Sequence, residues 1–277
     1  MMDRPAPGVL SQRSTPPTDP GPVSGELLDE AVELAHQAGV LTLDWFNDHE
    51  LSVSRKDDGS PVTEADKAAE AFLREALAER FPDDAVIGEE FPEAQGTSGR
   101  TWVIDPIDGT RSFVRGVPLY TTLLAMIDQQ GPAIGVAAVP GLDEIVWASR
   151  GLGCYHNGRR CQVSTQGDLN RSYLSASGFE WWPDGALDRV RQTGARMRTW
   201  GDGYGYVLVA TGRVEAMIDP GLNLWDIAPM LVIIPEAGGQ ITTWNGQTTP
   251  AAGDWLATNG HFHEELRTLL LPHAKNE

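Results

Sequence analysis

The sequence predicts a mixed α/β fold, and three patterns indicate it. From residue 26 to about 48, apolar side chains recur at the spacing of an amphipathic helix. Between residues 120 and 139, apolar positions alternate on both sides of a Gln129-Gln130-Gly131 turn, which is typical of a β-hairpin. From about residue 171 onward, short strand-like runs alternate with helix-like runs.

The amino-terminal half is predicted to begin with two helices. A short strand at 51–53 and a polar loop at 55–61 follow the first helix. Thr63 opens the second helix, and Asp66 lies three residues later at the capping-box position. Further strands are predicted at 85–87, 144–149 and 159–163, with an Asn157–Gly158 turn joining the last two.

The carboxyl-terminal half is expected to alternate strands with helices. Strands are predicted at 173–177, 196–200, 216–219 and 256–258, and helices at 204–211 and 227–237. Pro235 weakens the end of the last helix, because proline lacks the amide N–H that the helix needs.

The charge balance limits the classes of partner. The formal net charge is −18, from 39 acidic and 21 basic residues. A field of that sign opposes binding to nucleic acid and to anionic membranes, so neither is expected as a partner. It also opposes a phosphate substrate, so cations at the site would have to reverse the local charge.

The cysteine content and the first residues bear on location. The two cysteines, Cys154 and Cys161, imply no disulfide framework and favour a reducing compartment. Residues 1–25 contain six prolines and almost no large apolar side chains, which predicts a disordered tail rather than a signal peptide. No apolar run is long enough to span a membrane, and we expect a cytoplasmic protein.

The segment Trp102–Thr110 is the most informative part of the chain. An apolar, β-branched run is followed by Pro106, which predicts that a buried strand ends and the chain turns there. Asp105 and Asp108 would then lie at the carboxyl end of a strand, where α/β folds usually place ligand sites. The glycine and threonine that follow leave backbone N–H groups free to bind an anion. Carboxylates beside an anion-binding turn indicate divalent cations and metal-assisted phosphate chemistry.

An Asp-Gly dipeptide by itself more often marks an ordinary turn between strands. Here a second acidic pair, Glu89–Glu90, also follows an apolar run, and Asp226 follows Leu224–Trp225 far downstream. Oxygen ligands without histidine or cysteine suit Mg²⁺ or Mn²⁺ rather than zinc.

These residues closely resemble the inositol monophosphatase superfamily of magnesium-dependent, lithium-sensitive phosphatases. The shared signatures are Gly88–Glu90, Asp105–Thr110, Trp225–Pro229 and Glu236–Gly239. The resemblance extends from about residue 26 to the carboxyl terminus. It implies the fold of inositol monophosphatase and fructose-1,6-bisphosphatase, a two-lobed, five-layer αβαβα sandwich.

The same resemblance implies that the two lobes have different functions. An amino-terminal α+β lobe, residues 26–168, would contain the metal-binding motifs. A carboxyl-terminal α/β lobe, residues 169–277, would contain the substrate-specificity residues, with the site between the two lobes. Because the family is commonly dimeric, a homodimer is expected.

The resemblance implies two or three Mg²⁺ ions, which Mn²⁺ could replace. The ligand positions are Glu89, Asp105 and the Ile107 carbonyl for the first ion, and Asp105, Asp108 and Asp226 for the second. Glu90 matches a position that contacts outer metal or water.

Thr110 is the candidate for orienting the attacking water. A threonine hydroxyl is a weak base unless a carboxylate draws its proton, and Asp66 matches the family position of that carboxylate. The alternative for Asp66 is helix capping with Thr63, and the two roles are compatible. The N–H groups of Gly109 and Thr110 would bind the phosphate oxygens.

Within the superfamily, the chain most resembles the bacterial histidinol-phosphate phosphatase branch, over residues 109–118, 199–206 and 208–213. Arg111 departs from the lysine more usual there, which keeps a cation but changes its geometry. The substrate would be a small phosphate monoester that also has an ammonium and an imidazole group. Asp202 and Asp219 would form an acidic wall for its cationic part, and Arg198 is a further candidate substrate contact.

Several alternatives stay open at this point. Asp219 could be an ordinary turn former. Trp181 and Trp182 could cover an imidazole, although paired tryptophans more often serve packing. The competing activities are those of inositol monophosphatase, fructose-1,6-bisphosphatase and 3′(2′),5′-bisphosphate nucleotidase. A catalytically silent phosphate-ligand-binding protein is the alternative from a different class, and the intact carboxylates and Thr110 argue against it.

Overall fold

The computed structural model describes residues 23–48, 51–56 and 59–271. Most of the predicted disordered tail lies outside these residues, and the first helix begins at Gly25, one residue earlier than expected. The helices are α1 (Gly25–Thr42), α2 (Glu64–Arg80), α3 (Thr110–Phe113), α4 (Ala186–Gln192), α5 (Gly203–Ala210), α6 (Leu224–Ile227), α7 (Met230–Glu236) and α8 (His263–Leu270).

Fourteen strands occur in the described part of the chain. The first nine are β1 (Val53–Arg55), β2 (Pro61–Thr63), β3 (Ala85–Gly88), β4 (Thr101–Asp108), β5 (Thr121–Asp128), β6 (Gly131–Val139), β7 (Glu144–Ser149), β8 (Gly153–His156) and β9 (Arg159–Arg160). The last five are β10 (Tyr173–Ser175), β11 (Arg196–Arg198), β12 (Ala216–Leu222), β13 (Gln240–Thr243) and β14 (Gly253–Thr258).

Two large sheets organise these strands. The seven-stranded sheet has the order β3-β4-β5-β6-β7-β8-β9, in which β3 and β4 are parallel and the other pairs are antiparallel. The five-stranded sheet has the order β11-β10-β12-β14-β13, with β10 parallel to both of its neighbours. The predicted hairpin around residue 130 is confirmed as β5 and β6.

The helices form three layers around the two sheets. Helices α1 and α2 pack on the outer face of the seven-stranded sheet through an apolar core that includes Leu34, Leu73 and Trp102. Helices α5 and α7 lie between the sheets, where Val207 and Ile233 share one core with residues of β5, β6, β12 and β14. Helices α4 and α8 cover the far face of the five-stranded sheet. The predicted αβαβα layering is therefore confirmed. The division into lobes at residues 168 and 169 falls between the last strand of one sheet and the first of the other, and it stays a prediction.

The predicted end of β4 was wrong in a way that matters for the site. The strand does not end before Pro106 but continues to Asp108. Its pairing with β5 shifts register between Asp105 and Asp108, so the proline lies where the ladder is interrupted. The Pro106 carbonyl accepts a hydrogen bond from the Thr122 hydroxyl at 2.8 Å, which helps to hold the bulge.

Two other predictions need correction. The Asn157–Gly158 turn joins β8 to a two-residue β9, and not the strand at 144–149 to one at 159–163. The prediction missed β8 because its glycine-rich start conceals the strand pattern. The single helix predicted at 227–237 is two helices, α6 and α7, interrupted at Ala228 and Pro229, and Pro235 lies inside the second. No helix in the described part of the chain is long and apolar enough to cross a membrane.

Candidate active site

Three aspartates from distant parts of the chain meet at one point. Each of Asp105, Asp108 and Asp226 offers a carboxylate oxygen, and these atoms all lie within 4.8 Å of one another. The first two come from the bulged end of β4, and the third from the first turn of α6. The bulge presents Asp105 and Asp108 together, and α6 packs against β4 and brings Asp226 to them.

Hydrogen bonds hold two of these carboxylates in place. Asp108 Oδ2 accepts the Thr121 hydroxyl at 2.8 Å and the amide N–H of Gly203. Asp226 Oδ2 accepts the amide N–H of Asn223 at 2.7 Å in a capping box. Asp105 Oδ1 is buried and meets no hydrogen-bond donor among the described residues.

The electrostatics of the cluster favour a cation. Burial, and then the charges of Glu89 and Asp108, raise the pKa of Asp105 well above its usual range. Burial raises the pKa of Asp226 to about 7, against the opposing effect of the Asn223 N–H. The donor set is entirely carboxylate oxygen, and one buried oxygen lacks a donor. These features fit a hard divalent cation such as Mg²⁺.

The Glu89–Glu90 pair lies beside this cluster and contacts a lysine that the sequence reading overlooked. Lys56 Nζ is 2.6 Å from Oε1 of each glutamate. Burial lowers the pKa of Lys56, but Glu89 and Glu90 outweigh it and raise the pKa. Burial raises the pKa of Glu90 to about 7. Lys56 follows β1 in a polar loop, and only the folding of that loop toward β3 reveals the contact.

Glu70 is a second residue that the sequence reading missed. It is completely buried on α2, where it accepts Arg74 Nε at 2.7 Å and the amide N–H groups of Glu90 at 2.7 Å and Phe91 at 3.2 Å. A Cβ at Gly88 would lie 2.1 Å from Glu70 Oε1, so a larger residue there would collide with it. Glu70 therefore fixes the loop that presents the glutamate pair. An acidic residue on the apolar face of α2, with arginine four residues on, was the available signal.

Thr110 begins α3, which packs against β2, and β2 directly precedes the helix α2 that contains Asp66. The Thr110 hydroxyl donates to the Ile107 carbonyl at 3.1 Å. Asp66 Oδ2 accepts the amide N–H of Thr63 at 2.8 Å, and the Thr63 hydroxyl oxygen accepts the amide N–H of Asp66 at 3.4 Å, which together form the capping box. The Thr63 hydroxyl also donates to Asp66 Oδ2 at 2.5 Å. The expected bond between Thr110 and Asp66 is not among those of the described residues. Asp66 Oδ1 is buried without a partner there, and burial raises the pKa of Asp66 to about 6.

Gly109 forms the turn that begins α3. Its φ of +83° lies in the left-handed region, which favours glycine. A Cβ at Gly109 would lie 2.9 Å from Asp202 Oδ2, so the Asp202 carboxylate faces this turn. Asp202 itself precedes α5 with a φ of +49°. The structure thus brings the predicted phosphate-binding turn and one predicted acidic residue together.

Asp219 lies inside β12 and not at a strand end, which corrects the expectation of an end position. It is 2% exposed, and its carboxylate accepts the amide N–H of Ser177 at 3.2 Å and the Ser177 hydroxyl at 2.8 Å. Burial, and then the charge of Asp202, raise the pKa of Asp219 well above its usual range. Ser177 was not predicted as a site residue, and no sequence pattern identified it.

The remaining candidates divide between surface and core. The Arg198 guanidinium packs over Tyr173 and Trp200, at 5.2 and 5.7 Å from the ring centroids, and not against the carboxylates. Trp182 is buried against Phe179 and Trp244, so packing is its role. Trp181 is 63% exposed and lies against the backbone of Gly221.

Comparisons with known proteins agree with this geometry. The histidinol-phosphatase of Streptomyces coelicolor is 42% identical over 247 residues, covering 84% of this chain and 92% of the relative. That of Chlorobaculum parvum is 41% identical over 235 residues, covering 83% and 91%. The solved IMPase of Thermotoga maritima has a TM-score of 0.82 at 29% identity and covers 88% of this chain and 96% of its own. Residues 25–277 match the inositol monophosphatase family. The chain belongs to that family.

Proposed function

We propose that this protein is a Mg²⁺-dependent phosphomonoester hydrolase that converts L-histidinol phosphate and water to L-histidinol and phosphate. The observation that supports this most directly is the convergence of Asp105, Asp108 and Asp226 beside the Gly109 turn. The choice of substrate is supported by relatives named histidinol-phosphatase, which are 38% to 42% identical over most of the chain.

The metal-binding residues follow from the carboxylates and their neighbours. We assign Glu89, Asp105, the Ile107 carbonyl, Asp108 and Asp226 as the residues that would hold the divalent cations. When bound there, divalent cations neutralise the charge of the ester and lower the pKa of the attacking water. The inositol monophosphatase family is metal-dependent, which supports the assignment.

The residues around the turn bind and orient the reacting groups. We assign the N–H groups of Gly109 and Thr110, at the turn that begins α3, to the phosphate oxygens. Because the Thr110 hydroxyl donates to the Ile107 carbonyl, its lone pairs stay available to accept a proton of the attacking water. We assign Glu90, which accepts Lys56 Nζ at 2.6 Å, to water beside the metal ligands. We assign Asp66 as the carboxylate that receives this proton at its buried, unpaired Oδ1. For the transfer, the Thr110 hydroxyl must turn from the Ile107 carbonyl to Asp66, so that it donates its own proton to Asp66 as it takes one from the water.

The acidic wall is a second feature that supports the choice of substrate. The charge of Arg111 acts on Asp202, whereas the buried Asp219 forms no ion pair among the described residues. An ammonium group would satisfy them, whereas neutral inositol would not. Arg198 contacts aromatic rings at the strand edge, so we propose no direct contact with the reacting phosphate for it.

The test is a comparison of phosphate release from four esters. These are L-histidinol phosphate, inositol 1-phosphate, fructose 1,6-bisphosphate and 3′-phosphoadenosine 5′-phosphate, each with and without Mg²⁺. We expect kcat/KM for histidinol phosphate to exceed the others by roughly 10²-fold or more. A preference for inositol 1-phosphate would favour the inositol monophosphatase alternative. Absence of Mg²⁺-dependent release from all four would favour a silent binding protein.

Assembly and location stay proposals. We propose a homodimer in the cytoplasm, built from two-lobed subunits divided at residues 168 and 169. Light scattering tests the dimer, because a particle of 30.0 kDa would be a monomer and would contradict it. Fractionation of cells that produce the protein tests the location.

A further inference from the structure

Ser177 lies at an exposed position just beyond the end of β10, and it contacts both residues of the acidic wall, at the carboxylate of Asp219 and the backbone amide of Asp202. Its hydroxyl donates to Asp219 Oδ2 at 2.8 Å, and its amide N–H donates to Asp219 Oδ1 at 3.2 Å. Both oxygens of this buried carboxylate are therefore held by Ser177. The rotation of the carboxylate is fixed as a result.

The same hydroxyl oxygen accepts the amide N–H of Asp202 at 2.9 Å. A serine hydroxyl has one proton, which goes to Asp219, so the oxygen is free to accept from Asp202. The next amide along the chain, that of Gly203, donates to Asp108. The start of α5 is thus held by two consecutive N–H groups. That of Asp202 donates to Ser177, and that of Gly203 donates to Asp108 of the carboxylate cluster.

Asp202 needs such support because of its backbone. Its φ of +49° and ψ of −149° form a combination that residues other than glycine rarely adopt. The surrounding contacts must therefore hold the Asp202 backbone in this conformation. A Cβ on Gly201 would lie 2.5 Å from the Ser177 Cα, so only glycine allows the two backbones to approach this closely. The approach places the Ser177 hydroxyl within reach of the Asp202 amide.

We propose that Ser177 is a positioning residue that sets both Asp202 and Asp219 and thereby determines selectivity for phosphate esters with an ammonium group. The inference rests on the proposed function, since it concerns the same cleft. Without the Ser177 hydroxyl, Asp219 Oδ2 and the Asp202 N–H lose their partner together. The two carboxylates then no longer present their oxygens at fixed points to a cationic group.

The experiment compares Ser177→Ala with wild type on L-histidinol phosphate and on inositol 1-phosphate, which has no cation. We expect KM for histidinol phosphate to rise 10- to 100-fold, with kcat and the inositol 1-phosphate kinetics within about threefold of wild type. Ser177→Thr keeps the hydroxyl and should restore KM to within about threefold.

The matched control is Ser164→Ala. The Ser164 hydroxyl donates to Glu215 Oε1 at 2.8 Å and accepts the Gln166 N–H at 3.0 Å, the same bonding pattern near the opposite end of β12. It should lower thermal stability as Ser177→Ala does, but leave the substrate preference unchanged.

The outcomes separate the two proposals. If wild type shows no preference for histidinol phosphate, both the proposed function and the role of Ser177 are overturned. If wild type shows the preference and Ser177→Ala retains it, only the role of Ser177 is overturned. An equal loss on both esters, or a failure of Ser177→Thr to restore KM, would reduce Ser177 to a structural role and also contradict the inference.

Discussion

The backbone amide of Gly203 donates a hydrogen bond to the carboxylate of Asp108, a residue 95 positions earlier in the chain. Gly203 is the first residue of α5, in the helical layer between the sheets, and Asp108 ends β4 of the seven-stranded sheet. The positive end of a helix stabilises a negative charge placed beside it. The bond therefore links the carboxylate cluster to the part of the chain that contains the acidic wall.

Gly203→Ala should disturb this link. A Cβ at this position would lie 2.6 Å from Asp108 Oδ2 and 2.3 Å from Thr121 Oγ1, so Asp108 would have to move. We expect Mg²⁺ affinity, measured by calorimetry, to fall by about 10- to 100-fold, as for other residues that orient metal ligands. Gly25→Ala is the control, because it also begins a helix and its Cβ would meet nothing within 4 Å. Wild-type Mg²⁺ affinity in Gly203→Ala would contradict the role of this contact.

Thr110→Ala should remove the hydroxyl that we assign to the attacking water. We expect kcat to fall by roughly 10²- to 10⁴-fold with KM changed only a few-fold, while Thr110→Ser stays within about tenfold of wild type. Thr193→Ala is matched to it, since the Thr193 hydroxyl also donates to the carbonyl three residues earlier, at 2.6 Å. Steady-state kinetics of the three variants test the assignment. A kcat near wild type in Thr110→Ala would show that the hydroxyl is not needed.

Asp105→Asn should affect activity and stability in opposite directions. Loss of a metal ligand should lower kcat by about 10³-fold or more. The metal-free protein should gain unfolding free energy, because an ionisable group leaves a crowded cluster of buried carboxylates. Phosphate release and denaturant unfolding in a chelator measure the two effects. Asp188→Asn, at an exposed position in α4, should change neither. Undiminished turnover in Asp105→Asn would count against the metal assignment.

Glu70→Gln should loosen the loop that presents Glu89 and Glu90. An amide cannot accept from Arg74 and from two backbone N–H groups as a carboxylate does, so we expect a loss of about 2–4 kcal/mol in unfolding free energy. Mg²⁺ affinity should fall about tenfold as well. Glu215→Gln is the control, since Glu215 is also buried and accepts the Tyr173 N–H at 2.7 Å. It should lose stability but keep Mg²⁺ affinity, and equal affinities in both variants would refute the link to the metal site.

His263 should make the protein less stable in mild acid. Both ring nitrogens lie 2.9 Å from threonine hydroxyls, those of Thr242 and Thr258, and burial lowers the pKa of His263 from 6.5 to about 4. The unfolded chain therefore binds the proton first as pH falls. The contribution of His263 to the unfolding free energy should drop between pH 6.5 and 4, by at most about 3 kcal/mol, and then level off.

Urea unfolding at a series of pH values measures this dependence. His263→Gln should remove that part of the pH dependence, whereas His36→Gln, at an exposed position of α1, should retain it. Identical slopes for wild type and His263→Gln would show that another group is responsible.

Local patterns were sufficient to predict much of the fold. The capping box of Thr63 and Asp66 is present, and the strand from Glu144 to Ser149 has its predicted bounds. Prediction failed where glycine or proline conceals periodicity. Proline is usually a break, yet β4 continues past Pro106 because a register shift removes the need for its N–H.

The sequence predicted some residues of the candidate site and missed others, depending on whether they lie close together in the chain. Asp105 and Asp108 are close in sequence, so a short motif could reveal them. Ser177 and Lys56 became site residues only because elements far apart in the chain fold against each other. The hydrogen-bond partner of Thr110 also depends on packing. Asp66 was expected, but the Thr110 hydroxyl donates to the Ile107 carbonyl.

The sequence by itself determined the α/β character, the acidic motifs and the preference for hard divalent cations, because these depend on residue types and short spacings. The tertiary structure alone decided that Asp226 meets Asp105 and Asp108, that Gly203 supports Asp108, and that Ser177 joins the Asp219 carboxylate to the Asp202 backbone amide. The physical reason is that carboxylates repel one another, so only the packing of helices and sheets around them can hold them at one point.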